Sequence, residues 1–172
     1  MSLNRKIKTV GVLGAGNWGT VVAMLGASNC ENVLLFDHHP ERAGEIQKTR
    51  ENKRYLPGFK LPENVRVTSD LEEIFHSAKL ILPVIPAKAF RSLCRQYGPY
   101  TNGEHILVHC TKGLEPGTNK RMSEILIEET STLRIGVLSG PNIAQEIAAG
   151  MPCATVVSSR FDEVILKMQR VS

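Results

Sequence analysis

Residues 9–20, TVGVLGAGNWGT, decide the fold of this 172-residue chain. The apolar run over 9–13 predicts a buried strand, and a segment of helical period begins at Trp18. Between the two lies the glycine loop, residues 14–19, in which Gly14, Gly16 and Gly19 have the spacing GxGxxG. Glycines also serve in ordinary turns without a ligand. The strand before this loop and the helix after it favour a dinucleotide-binding turn instead.

Each glycine of the loop has a different expected structural role. Gly14 permits a tight turn, Gly16 lets the backbone approach a pyrophosphate, and Gly19 lets helix and strand pack closely. The phosphates are then expected on the free N–H groups at the helix N-terminus, where the helix dipole favours negative charge. The loop therefore predicts a bound dinucleotide cofactor.

The rest of the chain continues the same alternation of short apolar runs and longer helical segments. We expect seven strands, at 9–13, 33–36, 65–68, 80–85, 105–110, 135–138 and 154–157. We expect helices at 18–27, 40–50, 71–78, 88–97, 119–129, 143–149 and 161–170, with Ser69 or Asp70 as the N-cap of the third and Asn142 as the N-cap of the sixth. This pattern predicts a single α/β domain over 1–172, a Rossmann-type, doubly wound, mostly parallel sheet with helices on both faces.

Composition excludes several classes of protein. Net charge is +4, the basic residues are scattered, and aromatic residues are few, so nucleic acid is not an expected partner. No apolar run reaches the length that spans a bilayer, and the N-terminus does not resemble a secretory signal, so we expect a cytoplasmic protein without a membrane span. The four cysteines lack CxxC spacing, and His38 and His39 have no acidic or cysteine ligands nearby, so no metal site is expected.

The second strand ends in Asp37, eighteen residues after Gly19. An acid at this position accepts hydrogen bonds from the adenosine ribose and repels the extra phosphate of NADP, which favours NAD. His38, His39 and Arg42 follow directly and could hold that phosphate instead. NAD is therefore the expected cofactor, and NADP remains possible.

Two further segments follow strands at the edge of the sheet where open α/β folds bind ligands. Lys112 comes after the fifth strand and could polarise a carbonyl or hold a phosphate, although an exposed lysine beside a turn glycine is the simpler interpretation. Residues 139–142, SGPN, follow the sixth strand and open a helix, which suits either an anionic substrate or a plain capping turn.

Four motifs in order resemble the NAD(P)-dependent glycerol-3-phosphate dehydrogenases. They are GAGNWGT at 14–20, NKRYLPGFKLPENV at 52–65, TKG at 111–113 and SGPNIAQEIAAGMP at 139–152. The resemblance implies hydride transfer between a nicotinamide cofactor and the pair glycerol 3-phosphate and dihydroxyacetone phosphate. It also implies cofactor contacts at Asn17, Trp18, His38, Tyr55, Lys112 and Ala144, and substrate contacts at Lys112, Gly140 and Asn142.

The resemblance covers only the N-terminal half of that family. Family members continue into a helical domain that supplies a second lysine, thought to do the acid/base work, and the residues that grip the substrate phosphate. We therefore expect this chain to lack that C-terminal domain and to be inactive alone, and the apolar surface left uncovered favours a homodimer. A related dehydrogenase acting on 2-hydroxy acids or ketopantoate, and a non-enzymatic NAD-binding module, are the alternatives.

Overall fold

The computed structural model describes residues 7–171 and contains one seven-stranded sheet in the order β3-β2-β1-β4-β5-β6-β7. The strands are β1 (Ile7–Leu13), β2 (Cys30–Phe36), β3 (Val65–Thr68), β4 (Leu80–Pro83), β5 (Ile106–His109), β6 (Ile135–Ser139) and β7 (Val156–Ser159). The helices are α1 (Asn17–Asn29), α2 (Pro40–Thr49), α3 (Leu71–Ser77), α4 (Ala87–Tyr97), α5 (Met122–Glu129), α6 (Ala144–Ala148) and α7 (Asp162–Met168), with a 3-10 turn at Gly98–Tyr100. This is the predicted Rossmann-type sheet.

β1 is an interior strand, the third in this order, and pairs in parallel with both β2 and β4. The chain adds strands on one side of β1 up to β3 and then crosses to the other side, where it adds β4, β5 and β6. In such sheets a crevice opens at the carboxyl ends of the two strands where the order reverses. That reversal lies between β1 and β4, directly above the glycine loop.

Two apolar layers cover the two faces of the sheet. One face packs against α1, α2 and α7 through side chains such as Val22, Ile46 and Val164. The other packs against α3, α4 and α5 through side chains such as Ile74, Phe90 and Ile125. Strands buried on both faces must be apolar along their whole length, which is why they stand out in the sequence.

The predicted element boundaries differ from the structure at several ends, and β2, for example, begins at Cys30 rather than 33. β7 begins later than expected and runs antiparallel to β6. α5 begins at Met122 rather than 119, because Asn119 has the left-handed φ of 56°. The N-cap of α6 is Ile143 and not Asn142. By contrast, Asp70 caps α3 as predicted, with its carboxylate accepting the Glu73 N–H at 3.2 Å.

Candidate functional site

A cleft of about 580 Å³ opens where β1 and β4 end. The glycine loop forms one wall through Gly14, Gly16 and Asn17, and Val84 and Ile85 from the end of β4 form another. Around these the cleft is lined by Ala15, Phe36, His38, Arg42, Tyr55, Pro86, Ala89, Ser92, Leu93 and Gln96. An apolar cleft with a few polar groups at the switch point of an α/β sheet is the expected place for a cofactor.

The three loop glycines are required for different reasons. Gly14 has a φ of +117°, and a Cβ there would lie 2.5 Å from the Val84 carbonyl oxygen. A Cβ at Gly19 would lie 1.8 Å from the Gly14 carbonyl oxygen, so the first turn of α1 packs directly on the loop. A Cβ at Gly16 would meet no protein atom within 4 Å. The space in front of Gly16 is therefore open to a ligand, as a close approach to pyrophosphate requires.

The N-terminus of α1 faces the same cleft. Gly16 is its N-cap, and within residues 7–171 no side chain caps the helix there. The first intrahelical bond is donated by Thr20 N–H to the Gly16 oxygen at 3.0 Å, so the preceding N–H groups of the first turn have no helical acceptor. A negatively charged group would be stabilised by these donors and by the dipole of a thirteen-residue helix.

The structure corrects the expectation for Asp37. Its side chain is 0% exposed, and it does not line the cleft. Arg42 donates to it twice, through Nε at 2.5 Å and Nη2 at 2.6 Å, and the His39 N–H donates at 3.0 Å. A carboxylate enclosed in this way is not presented to a ribose. The sequence missed this pairing because Arg42 reaches Asp37 only once the start of α2 has been folded.

Three polar side chains, those of His38, Arg42 and Tyr55, line the part of the cleft that follows β2. The hydrogen bonds that Arg42 donates to Asp37 raise the pKa of Arg42, which is therefore a permanent cation. Desolvation and then the neighbouring His39 lower the pKa of His38, so that imidazole is neutral at pH 7. The guanidinium carbons of Arg42 and Arg54 lie 5.5 and 5.3 Å from the centre of the Tyr55 ring, so two cations pack on this ring.

Trp18 and Ala144, two of the residues that the resemblance assigns to the cofactor, are not in the cleft lining. Both pack on an apolar cluster built around Val21 and Leu56, where α6 lies against α1. In this structure their side chains pack α1 against α6. The Trp18 N–H lies in the first turn of α1, at the end of the helix that faces the cleft.

Lys112, Gly140 and Asn142 come together at the carboxyl edge of the sheet. The exposed Lys112 Nζ donates to the Gly140 carbonyl at 3.3 Å, and the Asn142 Oδ1 is buried without a partner among the described residues. Thr111 ties this region to the cleft wall, because its hydroxyl donates to the Ile85 carbonyl at 2.6 Å. The three predicted substrate residues thus form one polar group next to the cleft.

Within residues 7–171, no set of His, Cys, Asp or Glu side chains is arranged to hold a metal ion. The same part of the chain contains no helix that is both long and apolar enough to span a bilayer. Sequence reasoning missed one polar residue at the site, Asn52, which is buried against the glycine loop. Its only signal was its place at the head of the NKRYLPGFKLPENV motif.

Comparisons of the sequence with known proteins agree on one family. Residues 9–165 match the family model described as the NAD-dependent glycerol-3-phosphate dehydrogenase N-terminus. A glycerol-3-phosphate dehydrogenase [NAD(P)+] from Acinetobacter baumannii is 44% identical over 158 residues, which are 92% of this chain and 44% of that protein. The chain therefore spans less than half the length of this curated relative.

Solved structures show the same similarity. The crystal structure of glycerol-3-phosphate dehydrogenase from Coxiella burnetii has a TM-score of 0.89 at 29% identity, over 96% of this chain and 51% of that one. The enzyme from Saccharomyces cerevisiae has a TM-score of 0.82 at 28% identity, over 91% of this chain and 48% of that one.

Proposed function

The chain belongs to the NAD-dependent glycerol-3-phosphate dehydrogenase family, whose N-terminal domain it matches, and from that premise we propose that it binds NAD or NADP in the cleft above β1 and β4. The observation that carries the proposal is the open space in front of Gly16, at the uncapped N-terminus of α1. A backbone that leaves room for phosphate, with helical N–H groups pointing at it, is the feature a dinucleotide needs.

The residues fit the parts of the cofactor in order along the cleft. The glycine loop and the Asn17 N–H hold the pyrophosphate, and His38, Arg42 and Tyr55 surround the adenosine ribose and base. The apolar wall of Val84 and Ile85 continues the cleft from the glycine loop toward Thr111 and Lys112. The nicotinamide lies at that end.

In the intact enzyme we propose the interconversion of glycerol 3-phosphate and dihydroxyacetone phosphate. When bound, the cofactor supplies or accepts the hydride. Lys112 places its ammonium beside the Gly140 carbonyl, where it can stabilise the negative charge that develops on the substrate oxygen. The Asn142 amide, whose oxygen has no partner among the described residues, is available to orient a substrate hydroxyl. The homodimer expected from the sequence stays a prediction.

For the choice between NAD and NADP, our proposal differs from the expectation based on the sequence. The preference for NAD depended on a free Asp37 carboxylate, and the structure neutralises that carboxylate with Arg42. Arg42 also lines the cleft, so a cation and not an anion faces the ribose. We therefore propose that NADP binds at least as tightly as NAD.

The test is isothermal titration of the 172-residue chain with NADH and NADPH, alongside Gly16→Ala and Gly44→Ala variants. Both substitutions add one Cβ into space free of protein atoms. Gly16→Ala places it where the pyrophosphate must approach and should weaken binding about tenfold or more. Gly44→Ala, inside α2 and away from the cleft, should leave binding unchanged and stabilise the helix by about 1 kcal/mol.

Equal binding by the wild-type chain and Gly16→Ala would show that the glycine loop does not hold the cofactor. If NADH binds more tightly than NADPH, Asp37 governs the choice despite its pairing with Arg42.

A further inference from the structure

Asn52 is a polar side chain that the proposed cofactor contacts do not use, although it is only 1% exposed. Its amide Nδ2 donates to the Ala15 carbonyl at 2.9 Å and to the Thr20 hydroxyl at 2.8 Å. Both acceptors lie more than thirty residues away, in the glycine loop and the first turn of α1. Both N–H groups of a buried amide are thus satisfied by the element that forms the phosphate site.

The second bond continues into the loop. The Thr20 hydroxyl that accepts from Asn52 donates in turn to the Gly16 carbonyl at 2.7 Å. Asn52 therefore restrains two successive carbonyls, that of Ala15 directly and that of Gly16 through Thr20. We call this chain of hydrogen bonds from Asn52 the amide relay.

Restraining a carbonyl also fixes the direction of the N–H group that follows it in the chain. In a trans peptide the C=O and the following N–H lie in one plane and point in opposite directions. When the Ala15 and Gly16 oxygens are held toward Asn52 and Thr20, the N–H groups of Gly16 and Asn17 are turned the opposite way. Those are the donors at the N-terminus of α1 that are available to a phosphate.

The backbone of Asn52 organises the adenosine side of the cleft as well. Its carbonyl accepts the N–H of Tyr55 at 3.2 Å and that of Leu56 at 2.8 Å. Leu56 is fully buried against Val21 of α1, which anchors the turn, and Tyr55 lines the cleft. One residue thus joins the phosphate end of the cleft to the residue beside the adenosine.

We propose that Asn52 is a positioning residue for the cofactor, which sets the direction of the glycine-loop N–H groups through the amide relay. The proposal rests on the proposed function, because it assumes that the cleft binds NAD or NADP. It adds that the affinity for the cofactor depends on Asn52, a residue that does not line the cleft.

Asn64 provides a matched control. Its Nδ2 also donates to two carbonyls, those of Ala27 at 2.8 Å and Cys30 at 3.1 Å, but at the opposite end of α1. Asn52→Ala and Asn64→Ala each remove one side-chain amide and the two hydrogen bonds that it donates to one end of α1 and the residues beside it. Only Asn52→Ala removes hydrogen bonds at the N-terminus of α1, where the phosphate is proposed to bind.

The experiment is isothermal titration of NADH into the wild-type chain, Asn52→Ala, Asn64→Ala, Thr20→Val and the Asn52→Ala/Thr20→Val double variant, with thermal unfolding measured for each. Asn52→Ala should weaken binding about tenfold to hundredfold, as expected when donors at a preorganised site lose their support. Asn64→Ala should bind NADH as the wild type does, whatever its unfolding temperature. The double variant should weaken binding by less than the product of the single effects, because both substitutions break one relay.

Wild-type affinity in a folded Asn52→Ala variant, or equal losses in Asn52→Ala and Asn64→Ala, would overturn the proposal. If Asn52→Ala does not fold, Thr20→Val decides, because it breaks the relay at its centre, and unchanged NADH affinity in that variant would overturn it too. Absence of NADH binding by the wild-type chain would instead refute the proposed function, and this inference with it.

Discussion

His105 and His109 are both buried histidines near β5, yet their rings are bonded differently. The His105 Nδ1 accepts from the Asn102 N–H at 3.0 Å, and its Nε2 bonds the Phe75 carbonyl at 2.9 Å. His109 is 7% exposed, and its Nδ1 has no partner among the described residues. Burial lowers the pKa of His109 to about 4, so its ring is neutral in the folded protein near pH 7.

We predict that His109 makes the protein less stable in mild acid. Its pKa is about 4 when folded and about 6.5 when unfolded. The unfolded state therefore binds more protons between these values, and stability is lost as pH falls from 6.5 to 4. His109→Phe should remove up to about 3 kcal/mol of that loss.

The measurement is the free energy of unfolding in urea at pH 7, 5.5 and 4. The exposed His76, changed to Gln, is the control and should keep the wild-type slope with pH. A His109→Phe variant with the same slope as the wild type would contradict the prediction.

At the residue level, the sequence predicted what depends on local geometry and missed what depends on distant contacts. The conformational demands on Gly14 and Gly19 follow from a motif of six residues, and the structure confirms them. The pairing of Asp37 with Arg42 and the amide relay from Asn52 depend on how α2 and the following turn fold back on the loop. No pattern within the motif contains that information.

At the level of elements, one cluster of charges holds α4, α5 and the loop after Lys112 together. Arg91 on α4 donates to both oxygens of Glu115, at 2.6 and 2.8 Å, and to Glu128 and Glu129 on α5. The Arg91 side chain is 18% exposed and that of Glu115 is 12% exposed, so the pair is mostly shielded from water. The loop that carries Glu115 begins directly after Lys112, and the cluster therefore fixes where that loop returns to the protein.

We predict that this cluster is lost only in strong acid. Hydrogen bonds from Arg91, and then from Thr118, lower the pKa of Glu115 to about 2. The contribution of Glu115 is fully present above its unfolded pKa of about 4.3 and is lost as pH falls toward 2. Glu115→Gln should therefore be less stable than the wild type at pH 7, and the gap should narrow below about pH 4.

Urea midpoints at pH 7, 4.5 and 2.5 measure this gap, with the exposed Glu31→Gln as the control. A gap that stays constant from pH 7 to 2.5 would show that the charge of Glu115 does not stabilise the loop.

Apolar patterning explains which elements the sequence predicted well. β3 has the predicted bounds because its run ends at polar residues on both sides. β7 is shifted because it is an edge strand whose residues alternate between exposed and half-buried, so its apolar signal is weak. The start of α5 is delayed by the antiparallel bridge between Leu114 and Arg121, a contact that no helical periodicity reveals.

At the level of the whole molecule, the strand order places the cleft. The sheet grows outward from β1 in two directions, and the reversal brings the glycine loop, the end of β4 and the Lys112 region to one edge. The sequence predicted this architecture because seven strands and their intervening helices allow few other arrangements. It left open whether Asp37 or the cations that follow it would govern cofactor choice, because that depends on side-chain packing.

The central claim is that a dinucleotide binds along this cleft with its pyrophosphate on the glycine loop. The most direct test is a ¹⁵N-¹H NMR titration of the 172-residue chain with NADH. The largest amide shifts should fall on Gly14, Gly16, Asn17, Trp18 and Gly19, with smaller shifts at His38 and Tyr55 and none at Gly44. Saturable shifts that leave residues 14–19 unchanged, or no shifts at several millimolar NADH, would contradict the account.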